Sequence, residues 1–299
     1  MIIEKPGVYN LSDADYHSDP CVTPSLNSST AKIIISQSPK HAWHQHPKLN
    51  PVHTVVHSDV FDLGSVAHEH VLRGADKIVV LPFKDWRSDE AKSMRNMARN
   101  AGKNPVLSHK FDEVRTMGLG LAEAFKASEY PFQNGTPEQT LVWQEESSVG
   151  PIWCRAKLDW LPRLPHHRQP GDPIPVFPDY KTTGASADPI DWSRTAYQTG
   201  CDLQAAFYLR GIKAVLGIED AIFRFVVQEN YAPYCASLIE LSNAAIDMAQ
   251  RKVSEAVETW ARCLSTDDWP SYGTNVAVID PPGWAEKKWI DHEDAISLA

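Results

Sequence analysis

Apolar and polar positions along this chain follow two periods, and the change between them separates helical flanks from a strand-rich middle. Ala31-Lys32-Ile33-Ile34-Ile35 follows Ser28, Ser29 and Thr30, any of which can cap a helix that Pro39 limits to about two turns. Asp62-Leu63-Gly64-Ser65 opens a second helix through Val66-Ala67-His68-Glu69-His70-Val71-Leu72, closed at Gly74. Residues 89–100 and 111–128 read as two more. The period then shortens. Residues 140–145, 152–159 and 176–181 are strand-like, with Gly150-Pro151 marking a hairpin between the first two. A helix is predicted over 203–215, a strand over 221–227 and a long amphipathic helix over 241–263. The order predicts one α/β domain over 1–299: a mostly helical part to 135, a sheet core over 136–230, and a C-terminal helix and tail over 231–299.

Composition narrows the classes. At 299 residues and 42% hydrophobic content the chain can bury a substantial core. Met1 to Pro6 lacks an apolar leader, and no run approaches the ~18 apolar residues that span a bilayer. A soluble, cytoplasmic protein without membrane contact is expected. Cysteines at 21, 154, 201, 235 and 263 are odd in number and widely spaced, which predicts free thiols. His41, His44, His46, His53 and His57 lack nearby cysteines or carboxylates at tight spacing, so the tract reads as a polar loop rather than a zinc site. A net charge of −9 confines any nucleic-acid contact to local patches. Lys92, Arg95, Arg99 and Lys103 make one such patch, spaced by three, four and four on one side of a helix. The stripe would track phosphate or form a solvated face.

Candidate chemistry centres on Pro178-Asp179-Tyr180-Lys181 and on Asp159 upstream. In a strand Asp179 and Lys181 point the same way, and Asp159 can join them from a neighbouring strand. Two carboxylates ~4 Å apart repel by roughly 4 kcal/mol at an effective dielectric near ~20, which a hard divalent ion relieves. Asp-x-Lys alone is more often a surface pair. His68 can project from its helix into a cleft above the strands, or be a surface or satisfied core residue. Gln204 and Tyr208, four apart, share a helix face. Arg155, Lys157 and Asp159 alternate along one strand, so the two cations either hold phosphates or neutralise carboxylates.

Taken in order, Gly64-Ser65-Val66-Ala67-His68, Cys154-Arg155-Ala156-Lys157-Leu158-Asp159, Asp179-Tyr180-Lys181-Thr182-Thr183 and Gln204-Ala205-Ala206-Phe207-Tyr208 resemble the motif series of RecE-type exonuclease VIII proteins. These belong to the RecB-like branch of the PD-(D/E)xK nuclease superfamily. The resemblance runs from Pro6-Gly7-Val8-Tyr9 and Asp15-Tyr16-His17 to Trp269-Pro270. It implies a restriction-endonuclease-like core, a central mixed sheet flanked by helices. By the same resemblance Asp159, Asp179 and the Tyr180 carbonyl hold metal, His68 assists them, Lys181 is the catalytic lysine, and Gln204 and Tyr208 support the site or contact DNA. Glu138 matches a glutamate that opens the preceding strand, with no role attached. Two departures stand out: Lys157 replaces a frequent arginine, losing bidentate phosphate binding, and the proline-rich insert between Asp159 and Asp179 is long.

The implied activity is that of a phage-type recombination exonuclease. With Mg²⁺, or Mn²⁺ in its place, it would degrade one strand of linear duplex 5′ to 3′ and leave 3′ tails. Implied partners are double-stranded DNA ends, a single-strand annealing protein of the RecT or Beta kind, and further copies in a ring of three or four. The alternatives are an endonuclease of the same superfamily, a Cas4-like nuclease, against which the scattered cysteines argue, and a non-catalytic DNA-end-binding protein.

Overall fold

Local rules set many element boundaries in the structure, a computed structural model that describes residues 2–53, 63–165, 169 and 171–297. The N-terminal half runs β1 (Gly7–Tyr9), α1 (Asp13–His17), α2 (Ser28–Ser36), α3 (Pro39–Gln45), α4 (Leu63–Arg73), β2 (Ile78–Leu81), α5 (Asp89–Asn100), β3 (Asn104–Leu107) and α6 (Ser108–Ala124). There follow β4 (Gly135–Glu145), β5 (Ile152–Pro162), β6 (Val176–Thr183), α7 (Pro189–Thr199), α8 (Cys201–Leu216), β7 (Ile222–Glu229), β8 (Ala236–Glu240), α9 (Asn243–Thr266) and α10 (Gly283–Ser297).

Helix α2 is capped by Asn27, whose side chain accepts from the Thr30 amide, and not by the serines that follow. Pro39 starts α3 instead of only ending α2, because Ser38 caps it and proline suits the first helical turn. The expected histidine loop is therefore helical at His41 and His44, while His57 lies outside the described residues. Asp62, expected to open α4, also lies outside them. Asp188 and Pro189 start α7 by the same device, and Gly200 at φ +71° ends it before α8.

Backbone pairing distributes the strands over three sheets rather than one. In the first, β4 lies antiparallel between β1 and β5, with the expected hairpin turning at Gly150. In the second, β6 runs parallel to β7 and β8 antiparallel, so the mixed pairing sits here. The third is a small parallel pair, β2 and β3. Where β5 meets β6 the tie is a side chain: Asp159 Oδ2 accepts from the Tyr180 amide at 2.8 Å.

The main core lies between α8 and the strands. Ala205, Ala206, Phe207 and Ile212 of α8 are fully buried, and the Phe207 ring meets Trp143 of β4 at 5.1 Å. A second core packs Val66, Ala67 and Leu72 of α4 and Val114, Met117 and Leu121 of α6 with Trp160 and Tyr180. This docks the helix carrying His68 beside the strands carrying Asp159 and Asp179. The five cysteines are free, four of them buried. Among the described residues no helix is long and apolar enough to cross a membrane.

Candidate active site

Strand alternation on β6 sends Asp179 and Lys181 to one side, where the carboxylate and the ammonium form an ion pair. Tyr180 points the other way. Its hydroxyl donates to Gln228 Oε1 at 2.6 Å, and the Gln228 amide donates to the Met117 and Tyr234 carbonyls at 2.9 and 3.1 Å. From β5, Asp159 Oδ2 meets both the Tyr180 amide and His68 Nε2, the latter at 3.1 Å. From α8, Gln204 Nε2 donates to Asp179 Oδ1 at 2.8 Å. Four elements thus bring His68, Asp159, Asp179, Lys181 and Gln204 together.

The two carboxylates are electrostatically unlike. Burial, then the Asp159 charge, lifts Asp179 to about 6 despite Lys181. Burial would lift Asp159 too, but His68, Lys181 and the Tyr180 amide hold it below the usual carboxylate range. Burial works against a charged His68, yet Asp159 above all raises it to about 9. Its side chain keeps 30% of its surface open, so solvent screens part of that attraction. Lys181 is likewise held charged by Asp179 and Asp159 against its burial.

His68, Asp159, Tyr180 and Lys181 border a cleft of about 550 Å³ lined also by Asp13, Glu69, Glu138 and Lys157, with Asp179 buried behind Lys181. A larger cavity of about 990 Å³, between Arg210 and Glu240, contains none of them. Asp159, Asp179 and the Tyr180 carbonyl are the groups that could hold a divalent cation, with His68 orienting Asp159 through its Nε2–H. The donor set fits: two carboxylates and a carbonyl suit Mg²⁺ or Mn²⁺, and buried Asp179 Oδ2 faces Lys181 without a well-directed hydrogen bond. Among the described residues no three His, Cys, Asp or Glu side chains are grouped so as to hold a metal ion by themselves. Magnesium needs no such group, since it keeps waters and takes substrate phosphate oxygens.

Other candidates fall elsewhere. Arg155 is 1% exposed and neutralises a carboxylate instead of meeting phosphate: it pairs with Asp19 at 3.2 Å and donates to the Ser25 and Tyr16 carbonyls at 3.0 and 3.2 Å. The reason is local, because the N-terminal segment covers β5 there through Leu26. His46 is buried in the same cluster, 3.1 Å from Asp19. Lys157 does reach the cleft, held between Asp13 and Glu138. Tyr208, one turn beyond Gln204, is buried edge-on against Phe223 with its phenol bonded to Ser28, a supporting position. On α5, Lys92 is exposed beside Asp89 at 3.6 Å, Arg95 is half-buried with its guanidinium 5.5 Å from the Trp86 ring, and Arg99 is exposed.

Glu69 and Asp13 escaped the reading of the sequence. Glu69 is buried with Oε1 unpaired. Glu138, matched but given no role, sits in register opposite Asp159, since its neighbours Pro137 and Gln139 pair with Trp160 and Leu158. Only the strand register brings these two acids together, and no spacing within one segment encodes it.

A model of the family described as "PDDEXK-like domain of unknown function (DUF3799)" matches residues 28–281. No curated protein matches the chain. Among solved structures, an Eubacterium rectale protein provisionally described as an exonuclease superposes with TM-score 0.55 at 12% identity, over 93% of this chain and 98% of its own. That likeness concerns the fold. A second structure, SSO0001, overlaps at TM-score 0.28 and 11% identity over 65% of this chain and 83% of its own, too distant to bear on the fold. With its strands, helices and Asp-x-Lys cleft in place and the match spanning most of its length, the chain belongs to the PDDEXK-like domain family.

Proposed function

We propose that this PDDEXK-like nuclease is a Mg²⁺-dependent exodeoxyribonuclease that degrades one strand of linear duplex DNA 5′ to 3′ and leaves 3′ tails for recombination by strand annealing. The observation that carries hydrolysis is the convergence of Asp159, Asp179 and Lys181 at one cleft, Asp179 paired with Lys181 at its wall, with His68 on Asp159 and Gln204 on Asp179. A bound divalent cation would supply charge stabilisation at the scissile phosphate and a more acidic water. The chain's own groups do the rest. Lys181 is cationic at neutral pH, so it orients the attacking water and offsets phosphate charge rather than taking the proton. Gln204 fixes the Asp179 carboxylate, and the His68 and Tyr180 N–H groups fix Asp159.

Exonucleolytic action, polarity, the annealing partner of the RecT or Beta kind and a ring of three or four copies rest on the motif resemblance. The ring draws further support from the C-terminal segment, where Val276, Val278, Ile279, Trp284 and Trp289 are all more than half exposed, an apolar load that exceeds scattered surface residues and suits a neighbouring copy. The test is release of nucleotides from end-labelled linear duplex against covalently closed circles, with Mg²⁺ or chelator. Mg²⁺-dependent release from linear DNA alone is expected. Cutting of circles would indicate an endonuclease, and end binding without release a non-catalytic protein.

A further inference from the structure

We propose that Glu138 is a positioning residue, whose ion pair with Arg73 sets helix α4 so that His68 reaches Asp159. Its consequence for catalysis rests on the nuclease reading above. Glu138 is 6% exposed and lies on β4 opposite Asp159. Its Oε2 meets Arg73 Nη2 at 2.6 Å, Lys157 Nζ at 3.4 Å and Lys77 Nζ at 4.0 Å. Arg73 and His68 are both on α4, and Lys157 and Asp159 both on β5, so one buried carboxylate ties together the two elements whose side chains must meet.

The geometry explains why one contact is not enough. Val66, Ala67 and Leu72 hold α4 by apolar packing, which is non-directional and tolerates sliding. The His68–Asp159 contact at 3.1 Å fixes one point on the helix. Arg73–Glu138 fixes a second, roughly 7.5 Å further along the axis at ~1.5 Å per residue, and together they set slide and rotation. The backbone of Glu138 also departs from its strand: its φ is +50°, while both neighbours pair regularly with β5. A side chain other than glycine is uncommon in that region, and here it belongs to a carboxylate whose Oε2 three cations approach as ion pairs without a well-directed hydrogen bond.

The test uses Glu138→Gln, which keeps shape and removes charge, and Arg73→Gln. In metal-free protein, the ¹⁵N and Hε2 resonances of His68 report its hydrogen bond to Asp159. Both variants should lose that signature while staying folded, and both should cut turnover roughly 10-fold or more through misplacement, with KM for linear duplex little changed. Glu138→Gln added to His68→Ala should slow the enzyme no further, and Arg73→Lys should restore most of the rate. An unchanged His68 signature in both variants, or a full additional loss on top of His68→Ala, would overturn the proposal. Should Glu138→Gln fail to fold, the Arg73 variants decide alone, since that side chain is partly exposed. A wild-type protein that releases no nucleotide would sink the nuclease reading and leave the resonance measurement to judge Glu138.

Discussion

Single side chains carry the chemistry, so the sharpest expectations belong to them. Asp159→Asn, Asp179→Asn and Lys181→Ala should each lower hydrolysis by ~10²-fold or more, the scale for losing a charged group that acts on the transition state. Circular dichroism should show folded protein, and DNA binding should persist. Near wild-type nucleotide release by any of the three would refute the assignment. In the metal-free protein Asp179 takes up its proton at about 6, so Mg²⁺ binding should weaken as pH falls through that value, as a calorimetric titration with Mg²⁺ would show. Stability carries a separate sign. The folded-state value of Asp179 lies above the ordinary 3.8, so its contribution is present below that value and lost as pH rises through 6. His68 acts in the same direction: its contribution is present below 6.5 and lost as pH rises through about 9. Asp159 opposes them, because a lowered carboxylate stabilises above its ordinary value and loses that effect as pH falls. Above pH 6.5 only the His68 contribution is still being lost, so metal-free wild type should lose melting temperature between pH 6.5 and 9, an effect that added Mg²⁺ reduces. A melting temperature flat across that window would contradict the assignment.

At the scale of elements, the site depends on how closely helices approach strands. Gly211 of α8 lies against the Trp143 ring, and a Cβ there would stand 2.7 Å from Cζ3. Trp143 is fully buried and its indole N–H donates to Glu145 at 2.9 Å, so it cannot move aside cheaply. The clash in Gly211→Ala should cost up to about 3 kcal/mol against the ~1 kcal/mol gained in helix propensity, a net destabilisation of up to about 2 kcal/mol. Thermal melts decide this, and an unchanged or raised melting temperature would show that α8 can yield. Helix α5 offers the opposite case, an element whose exposed face would act through charge. Replacing Lys92, Arg95 and Arg99 with alanine should weaken DNA binding and reduce the salt slope by roughly 0.9 for each phosphate no longer neutralised. Because Arg95 also stacks on Trp86, the variant's melting temperature must be checked alongside. An unchanged slope would make the stripe a solvated face.

For the whole molecule, a charge of −9 is compatible with a DNA enzyme if cations line an inner wall while the outside stays acidic. A closed ring of three or four subunits would do this, and it would also bury the apolar C-terminal segment between copies. Light scattering is expected to report a trimer or tetramer. Digestion should need a free end and continue through many nucleotides after competitor DNA is added. A monomer with distributive digestion would remove the ring and leave the chemistry of one subunit.

What the sequence determined by itself was local or repeated. The alternation of β6 put Asp179 beside Lys181, the four-residue spacing of α8 aligned Gln204 with Tyr208, and Gly150 turned the β4–β5 hairpin. Ser38-Pro39 and Asp188-Pro189 were local signals as well: proline alone reads equally as a stop or a start, and the capping side chain before it makes each a start. Tertiary structure alone decided which partners met. Arg155 and Lys157 obey the same alternation, yet one is sealed beneath the N-terminal segment and the other opens into the cleft. Glu138 faces Asp159 through a register that no single strand specifies, and it meets Arg73 only because α4 packs across that register. Periodicity tells a side chain which way to point; long-range pairing decides what stands there.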